Sequence, residues 1–230
     1  MDVLETIATT RAIRRFRPDP IPEADLATIL FAASRAPSGS NRQLFRFVLL
    51  RDDDTSRQAK ALIAGVARDA WNAKRAHDGY DRGSGGDDSS PKARTARAMQ
   101  HFVDHYEEIP VNILACLIRH RAPNPSEGAS VYPACQNLLL AARSLGYGGV
   151  ITGWHAGAEP QLRELLAIPE GVAISACIPM GRPVGNHGPV RRRPLSELVY
   201  DGGWEKPAPW AVDPSGTRFA QAGPPRSEPS

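Results

Sequence analysis

The chain has 230 residues, with 28 Lys+Arg against 25 Asp+Glu, a formal net charge of +3 and 41% hydrophobic residues. That balance excludes a disordered chain and lacks the massed positive charge by which nucleic-acid and anionic-membrane binders are read. The three cysteines, Cys116, Cys135 and Cys177, are odd in number and widely spaced among apolar residues, which argues against a disulfide framework and against a CxxC redox or zinc site.

Asp2 with Glu5 has the form of a helix-starting capping pair, and Leu4, Ile7 and Ala8 set an apolar face before the basic segment Arg11–Arg17. Acidic residues stand where a secretory leader carries basic ones, so a cytoplasmic location is expected. A second helix follows Pro22, with Leu26, Ile29, Leu30 and Ala33 at spacings of three and four, and Pro37 stops it. Phe45–Leu50 reads as a buried strand. Ala59, Leu62, Ile63, Val66 and Ala70 then mark the inner face of a long helix that carries Arg57, Lys60 and Arg68 outside. From Asp78 to Lys92 the composition turns to Gly, Asp and Ser, and a mobile surface loop is expected over about residues 78–95.

Met99, Phe102, Val103 and Tyr106 predict an amphipathic helix, and Val111–Ile118 a strand buried on both faces. An apolar helix over Ala134–Leu145 ends at Gly146, a residue suited to a left-handed cap. GGVIT (148–152) is a short strand, Pro160–Ala167 a helix and Val172–Met180 a strand. The longest apolar runs fall far short of the ~20 residues that span a bilayer, so no membrane partner is expected. The chain holds 21 prolines, many after residue 178, which points to an extended C-terminal arm. The organisation read from this pattern is a single domain over residues 1–200, including the loop, and a Pro-rich tail over 201–230.

Several motifs are tested and set aside. No glycine cluster runs into Lys-Ser/Thr, and GYGG at Gly146–Gly149 has Ile151 in the third glycine position of GxGxxG. Ser38 in APSGS lacks the first glycine of a nucleophile elbow. His101 and His105 share a helix face, but Phe102 sits where a zinc protease places its glutamate, so they read as solvated side chains. Trp154 and His155 read equally as a packed aromatic with a surface histidine or as substrate contacts.

Three separated segments share one chemical preference: TTRAIRRF (9–16), with Arg11 and Arg14 ahead of the apolar Phe16; APSGSNRQ (36–43); and GRPVGNHGPVRRRPL (181–195). Guanidinium groups match a phosphate monoester with bidentate, charge-assisted bonds, and hydroxyl and amide groups suit a polyol and a heteroaromatic edge. The alternatives left open are solvated surface charge or a phosphate-backbone patch for the arginines, plain turn roles for Asn41 and Gln43, and strand-end packing for Thr152 and Gly153. The nucleic-acid reading is disfavoured because the basic runs lie far apart and are balanced by acidic stretches such as Asp52–Asp54.

With QNLLLAARSLGYG, IPEG and RRRPLSELV added, these segments resemble, over about residues 2–200, the nitroreductase family of FMN-dependent NAD(P)H oxidoreductases. The resemblance implies an α+β fold with a central, mostly antiparallel sheet of four or five strands flanked by helices, in an intertwined homodimer with FMN at the interface. It implies that Arg11, Arg14, Arg191 and Arg193 bind the FMN phosphate. It further implies that Pro37, Ser38, Gly39, Asn41 and Gln43 reach the flavin across the dimer, and that Val150, Ile151, Thr152 and Gly153 lie beside its reactive nitrogen. Two departures stand out. Thr10 and Ala12 replace an arginine and a serine common in the motif, and Thr152 replaces a frequent glutamate. The implied activity is hydride transfer from NADPH or NADH through FMN to a nitroaromatic or other electron-poor acceptor by a ping-pong course. No side chain is named as an acid or base, and no metal is expected. A quinone, enone or halogenated phenol as acceptor, and a flavin- or nucleic-acid-binding protein without turnover, are the competing readings.

Overall fold

The computed structural model describes residues 1–80, 90–190 and 192–213. The chain divides into two compact units, one of Ala12–Gly185 and one of Met1–Arg11 with the segment from Asn186 onward. Residues 81–89 of the loop expected near residues 78–95 lie outside the described residues. Its far boundary moves inward, because Pro91 and Lys92 already belong to a helix capped by Ser90.

The Ala12–Gly185 unit is built on one sheet with strands β1 (Phe45–Leu50), β2 (Val111–Ile118), β3 (Gly148–Gly149) and β4 (Val172–Gly181). Their spatial order is β1-β2-β4-β3 and every pairing is antiparallel, which gives the expected α+β class. β2 pairs Val111 with Met180 and Leu117 with Ala173, with a register shift between Ala115 and Cys116. Because side chains alternate along a strand, Val111, Ile113 and Ala115 join one core and Leu114 and Cys116 the other.

The first core is closed by α2 (Glu23–Ser34) and α5 (Tyr132–Ser144) through Leu26, Ile29, Ala33, Leu138 and Ala142. The second is closed by α3 (Asp54–His77), α4 (Pro91–Asp104) and α6 (Glu159–Leu165) through Ile63, Phe102 and Leu162. The sheet is thus covered on both faces, which is why β2 and β4 read as near-continuous apolar runs. β1 is an edge strand, and only Phe45 and Leu50 of it are buried, fewer than its sequence predicts.

Two helix faces differ from expectation. In α3 the buried set is Ser56, Ala59, Lys60, Ile63, Ala64, Ala67 and Trp71, so the inner face is rotated from the Leu62–Val66–Ala70 line, and Lys60 is inside. Its ammonium donates to the Ile109 carbonyl at 3.1 Å, and burial pulls its pKa below the usual lysine value. In α1 (Val3–Thr9), of the other unit, Asp2 Oδ1 accepts from the Glu5 N–H at 2.8 Å, as the capping pair predicts. Its buried residues, however, are Thr6 and Thr9, while Leu4 is 70% and Ile7 50% exposed. The threonine hydroxyls tolerate this because they donate to the carbonyls of Asp2 and Glu5, four residues back.

Among the described residues from Asn186 to Asp213 the regular features are one short 3-10 turn, Leu195–Glu197, and a bridge between Tyr200 and Pro207. Pro189, Pro194 and Pro207 each remove a backbone donor there, so a regular sheet edge is unavailable to it.

Candidate functional site

Gly149 organises the site. Its carbonyl accepts from the Ile13 N–H at 3.1 Å, which lays the Ile13–Arg14 segment alongside the start of Val150–Gly153. Beyond β3 the chain stays locked to β4: Thr152 N–H donates to the Cys177 carbonyl at 2.8 Å, and Cys177 N–H to the Thr152 carbonyl at 3.0 Å. Val150 points into the core, whereas Ile151 is 41% exposed and Gly153 is also exposed. The result is a rigid strip with an apolar outer surface. Thr152 cannot offer its N–H to a ligand, because Cys177 takes it. The Ile151 and Gly153 N–H groups have no protein acceptor among the described residues and are the donors the strip can present.

Arg14 lines a cavity of about 220 Å³ with Phe16, Pro18, His101, Phe102, His105, Glu108 and Ile109. Phe16 is held by an antiparallel bridge to Pro183 and packs its ring 6.3 Å from that of Phe102. His101 and His105 form a ring pair 4.3 Å apart on this cavity wall; His105 is exposed, as read from the sequence, whereas His101 is half-buried. His105 Nδ1 lies 3.0 Å from Glu108 Oε1, and His101 Nδ1 is buried without a partner. Burial, then the charges of His105 and Arg15, hold the His101 pKa below the usual imidazole value. The cavity therefore offers a guanidinium, a neutral imidazole, a His105–Glu108 pair and aromatic walls.

Behind Thr152 lies a buried polar cluster that sequence reasoning missed. The Tyr106 hydroxyl donates to Asn112 Oδ1 at 3.2 Å and sits 3.2 Å from Cys177 Sγ, which is 3.4 Å from the same oxygen. Burial raises the Tyr106 pKa well above normal and pushes the Cys177 thiol up to about 12, so both are neutral packing groups. Asn112 at the centre of an apolar strand was the available signal, since a buried amide needs partners. His155 is also buried, with Nε2 2.9 Å from the Ile174 carbonyl, which sets aside its reading as a surface residue or substrate contact. Trp154 packs on Phe102 and Tyr106.

The Pro37–Gln43 turn lines a second cavity, of about 200 Å³, through Ser38 and Gly39. Ser40, Asn41 and Gln43 all have positive φ, at 52°, 52° and 51°. Three such non-glycine residues within four positions mark stored backbone strain, a feature that clusters at ligand sites. Ser38 Oγ accepts from the Gln43 N–H at 2.9 Å, and Gln43 Nε2 donates to Asn41 Oδ1 at 3.2 Å. Pro37, Asn41 and Gln43 are exposed.

Within the Ala12–Gly185 unit, then, the structure joins Arg14 to Val150–Gly153 and puts the Pro37–Gln43 turn at a separate cavity. Arg11 and Arg193 belong to the other unit. Arg11 is exposed, and Arg193 pairs with Glu197 at 3.3 Å. Arg191 lies outside the described residues.

Fold and site together define an α+β domain with a small cavity, lined by an arginine, a glutamate, two imidazoles and aromatic rings, and a strand-locked apolar strip. The chain belongs to the nitroreductase family, whose model matches residues 7–182. It is 28% identical over 216 residues to the NADH dehydrogenase of Thermus thermophilus, covering 86% of this chain and 95% of that protein. It is 26% identical over 216 residues to the NADPH-flavin oxidoreductase of Vibrio harveyi, covering 89% and 75%. Among solved structures, a Desulfovibrio desulfuricans protein crystallised as a nitroreductase in complex with FMN superposes with a TM-score of 0.62 at 27% identity, over 89% of this chain and 98% of that one. Among the described residues no helix is long and apolar enough to cross a membrane.

Proposed function

We propose that the chain is an FMN-dependent oxidoreductase that draws hydride from NAD(P)H and delivers it to an electron-poor acceptor such as a nitroaromatic. The observation that carries this reading is the Ile13–Gly149 hydrogen bond, which ties the residue before Arg14 to the residue before the Val150–Gly153 strip. Family membership and the FMN complex of the Desulfovibrio relative support it.

The residues present fit FMN: a cavity with the Arg14 guanidinium and an orphaned imidazole nitrogen on its wall, and an apolar strip that can take the face of a flat ring system. Bound FMN would supply the two-electron chemistry, and the protein binding, orientation and electrostatics. Arg14 meets anionic groups with charge-assisted hydrogen bonds, and Arg11, Arg191 and Arg193 are assigned to the phosphate with it. The free Ile151 and Gly153 N–H groups donate where negative charge develops on reduction. Ser38, Gly39, Asn41 and Gln43, with Pro37 shaping the turn, are assigned to the flavin edge of a partner subunit in a homodimer. Donor and acceptor occupy the same exposed surface in turn, so double-reciprocal plots against NADPH at several acceptor concentrations run parallel.

The purified protein should absorb as a flavoprotein and bleach with anaerobic NADPH. Arg14→Ala should weaken FMN by about 1.5–3 kcal/mol, the worth of a hydrogen bond to a charged group. A colourless protein that takes up no FMN, or unchanged FMN retention in the variant at high salt, would overturn the assignment.

A further inference from the structure

The cavity beside the strained turn has a character of its own. It is lined by Ser38, Gly39, Ser40, Arg42, Leu44, His120, Arg121 and Ser130, three of which carry or can carry positive charge and none of which is acidic. Arg42 is fixed in the right-handed region (φ −72°, ψ −20°) between Asn41 and Gln43, both left-handed, so the turn's strain sets the place from which its side chain departs. Arg121 and His120 follow the end of β2, and Ser130 closes a 3-10 turn, with its Oγ 3.5 Å from the Gly39 nitrogen.

Desolvation, and then the positive charges of Arg42 and Arg121, hold the His120 pKa below its ordinary value. Glu127, a carboxylate that feels Arg121, is already engaged by Arg119 in a two-point pair at 2.7 and 3.0 Å. Neither Arg42 nor Arg121 has an acidic partner among the described residues. Two guanidiniums, an imidazole and three serine hydroxyls line one small cavity that has no carboxylate, and a compact polyanion is the ligand such a donor-rich surface takes.

We infer that this cavity binds the 2′-phosphate of NADPH and makes the enzyme prefer NADPH to NADH. The inference rests on the reading of the chain as an NAD(P)H oxidoreductase and goes beyond it by assigning the selectivity to Arg42, Arg121 and His120. A phosphate monoester on the adenosine ribose is the one group that distinguishes the two donors, and arginine is the residue that commonly receives it. The 5′-phosphate of FMN offers the same chemistry, so the test must separate the two sources.

Three measurements do so: reduction by NADPH and by NADH under anaerobic conditions, FMN content, and calorimetric binding of adenosine 2′,5′-bisphosphate against adenosine 5′-monophosphate. Each is made on the flavin-loaded wild type and on Arg42→Ala and Arg121→Ala. The expected result is a wild-type kcat/KM at least about tenfold higher for NADPH, falling about tenfold in either variant while NADH use and FMN content stay unchanged. Adenosine 2′,5′-bisphosphate should bind the wild type, more weakly at high salt, and fail to bind the variants. Equal use of NADH and NADPH by the wild type would overturn the inference, as would parallel losses with both donors. Loss of FMN in the variants would assign the cavity to the flavin phosphate and also overturn it. Bisphosphate binding that depends on Arg121 in a protein without flavin turnover would uphold the phosphate site while refuting the oxidoreductase reading.

Discussion

Buried imidazoles make this protein sensitive to acid in a direction that can be worked out. His155 is buried beside Ile174, and burial lowers its pKa from the ordinary 6.5, against smaller opposing effects of the Ile174 carbonyl and Glu159. A histidine whose pKa is lower folded than unfolded leaves the unfolded chain binding more protons. Its contribution is therefore complete above the unfolded pKa and is lost as pH falls through the folded one. Urea midpoints should fall from about pH 7.5 to about pH 5.5, and the fall should be smaller in His155→Gln, which keeps a donor for the carbonyl. An equal fall in both proteins would place the acid sensitivity elsewhere; His101 and His120, also shifted down, are the next groups to test. None of this was legible from a single histidine in the sequence. Of the arginines singled out in the sequence, Arg14 lines a cavity, while Arg193 pairs with Glu197 and Arg11 lies exposed in the other unit, because residue type names a preferred ligand and packing decides what a side chain meets.

At the scale of elements, the strip from Gly148 to Gly153 holds one glycine that packing requires and one that it does not. A Cβ on Gly149 would lie 2.8 Å from the Pro179 carbonyl oxygen and 3.1 Å from Leu139 Cδ2, and the first of these is backbone that cannot swing aside. Gly149→Ala should cost about 1–3 kcal/mol and also weaken FMN, since Ile13 and the arginine motif hang on the same residue. A Cβ on Gly153 meets nothing within 4 Å. Gly153→Ala should therefore stay within about 0.5 kcal/mol of wild type in stability while slowing turnover at the exposed strip. Equal stability losses in the two variants would contradict this division. β2, β4 and α5 were legible because each is a long apolar segment with few alternatives. α3 was misread in phase because its inner face is made largely of alanines (59, 64 and 67), and alanine does not declare which side it faces. β1 kept its limits and lost its burial, since a strand's position within a sheet is set by pairing partners that its own sequence does not name.

For the whole molecule, the exposed apolar residues bear on assembly. Val3, Leu4 and Ile7 of α1, with Leu198, Trp204, Trp210 and Val212 of the same compact unit, are open in the single chain, Trp204 at 84%. Large exposed apolar side chains gathered in one unit are the mark of a surface that meets another protein. A second copy of this chain is the partner that the proposed shared flavin site requires, and the expected assembly is a homodimer. Leu4→Glu with Ile7→Glu provides a discriminating test. In an isolated chain both positions face water, and the changes should alter stability by less than about 0.5 kcal/mol each. In a dimer they would bury charge against apolar surface, so the variant should sediment as a monomer and lose FMN, while a wild-type control sediments at twice the chain mass. A monomeric wild type that retains flavin, or a doubly substituted chain that still sediments as a flavin-loaded dimer, would refute an interface built on α1. The inverted face of that helix then has a physical reason: its threonines satisfy themselves on their own backbone, which leaves the apolar side free for the partner.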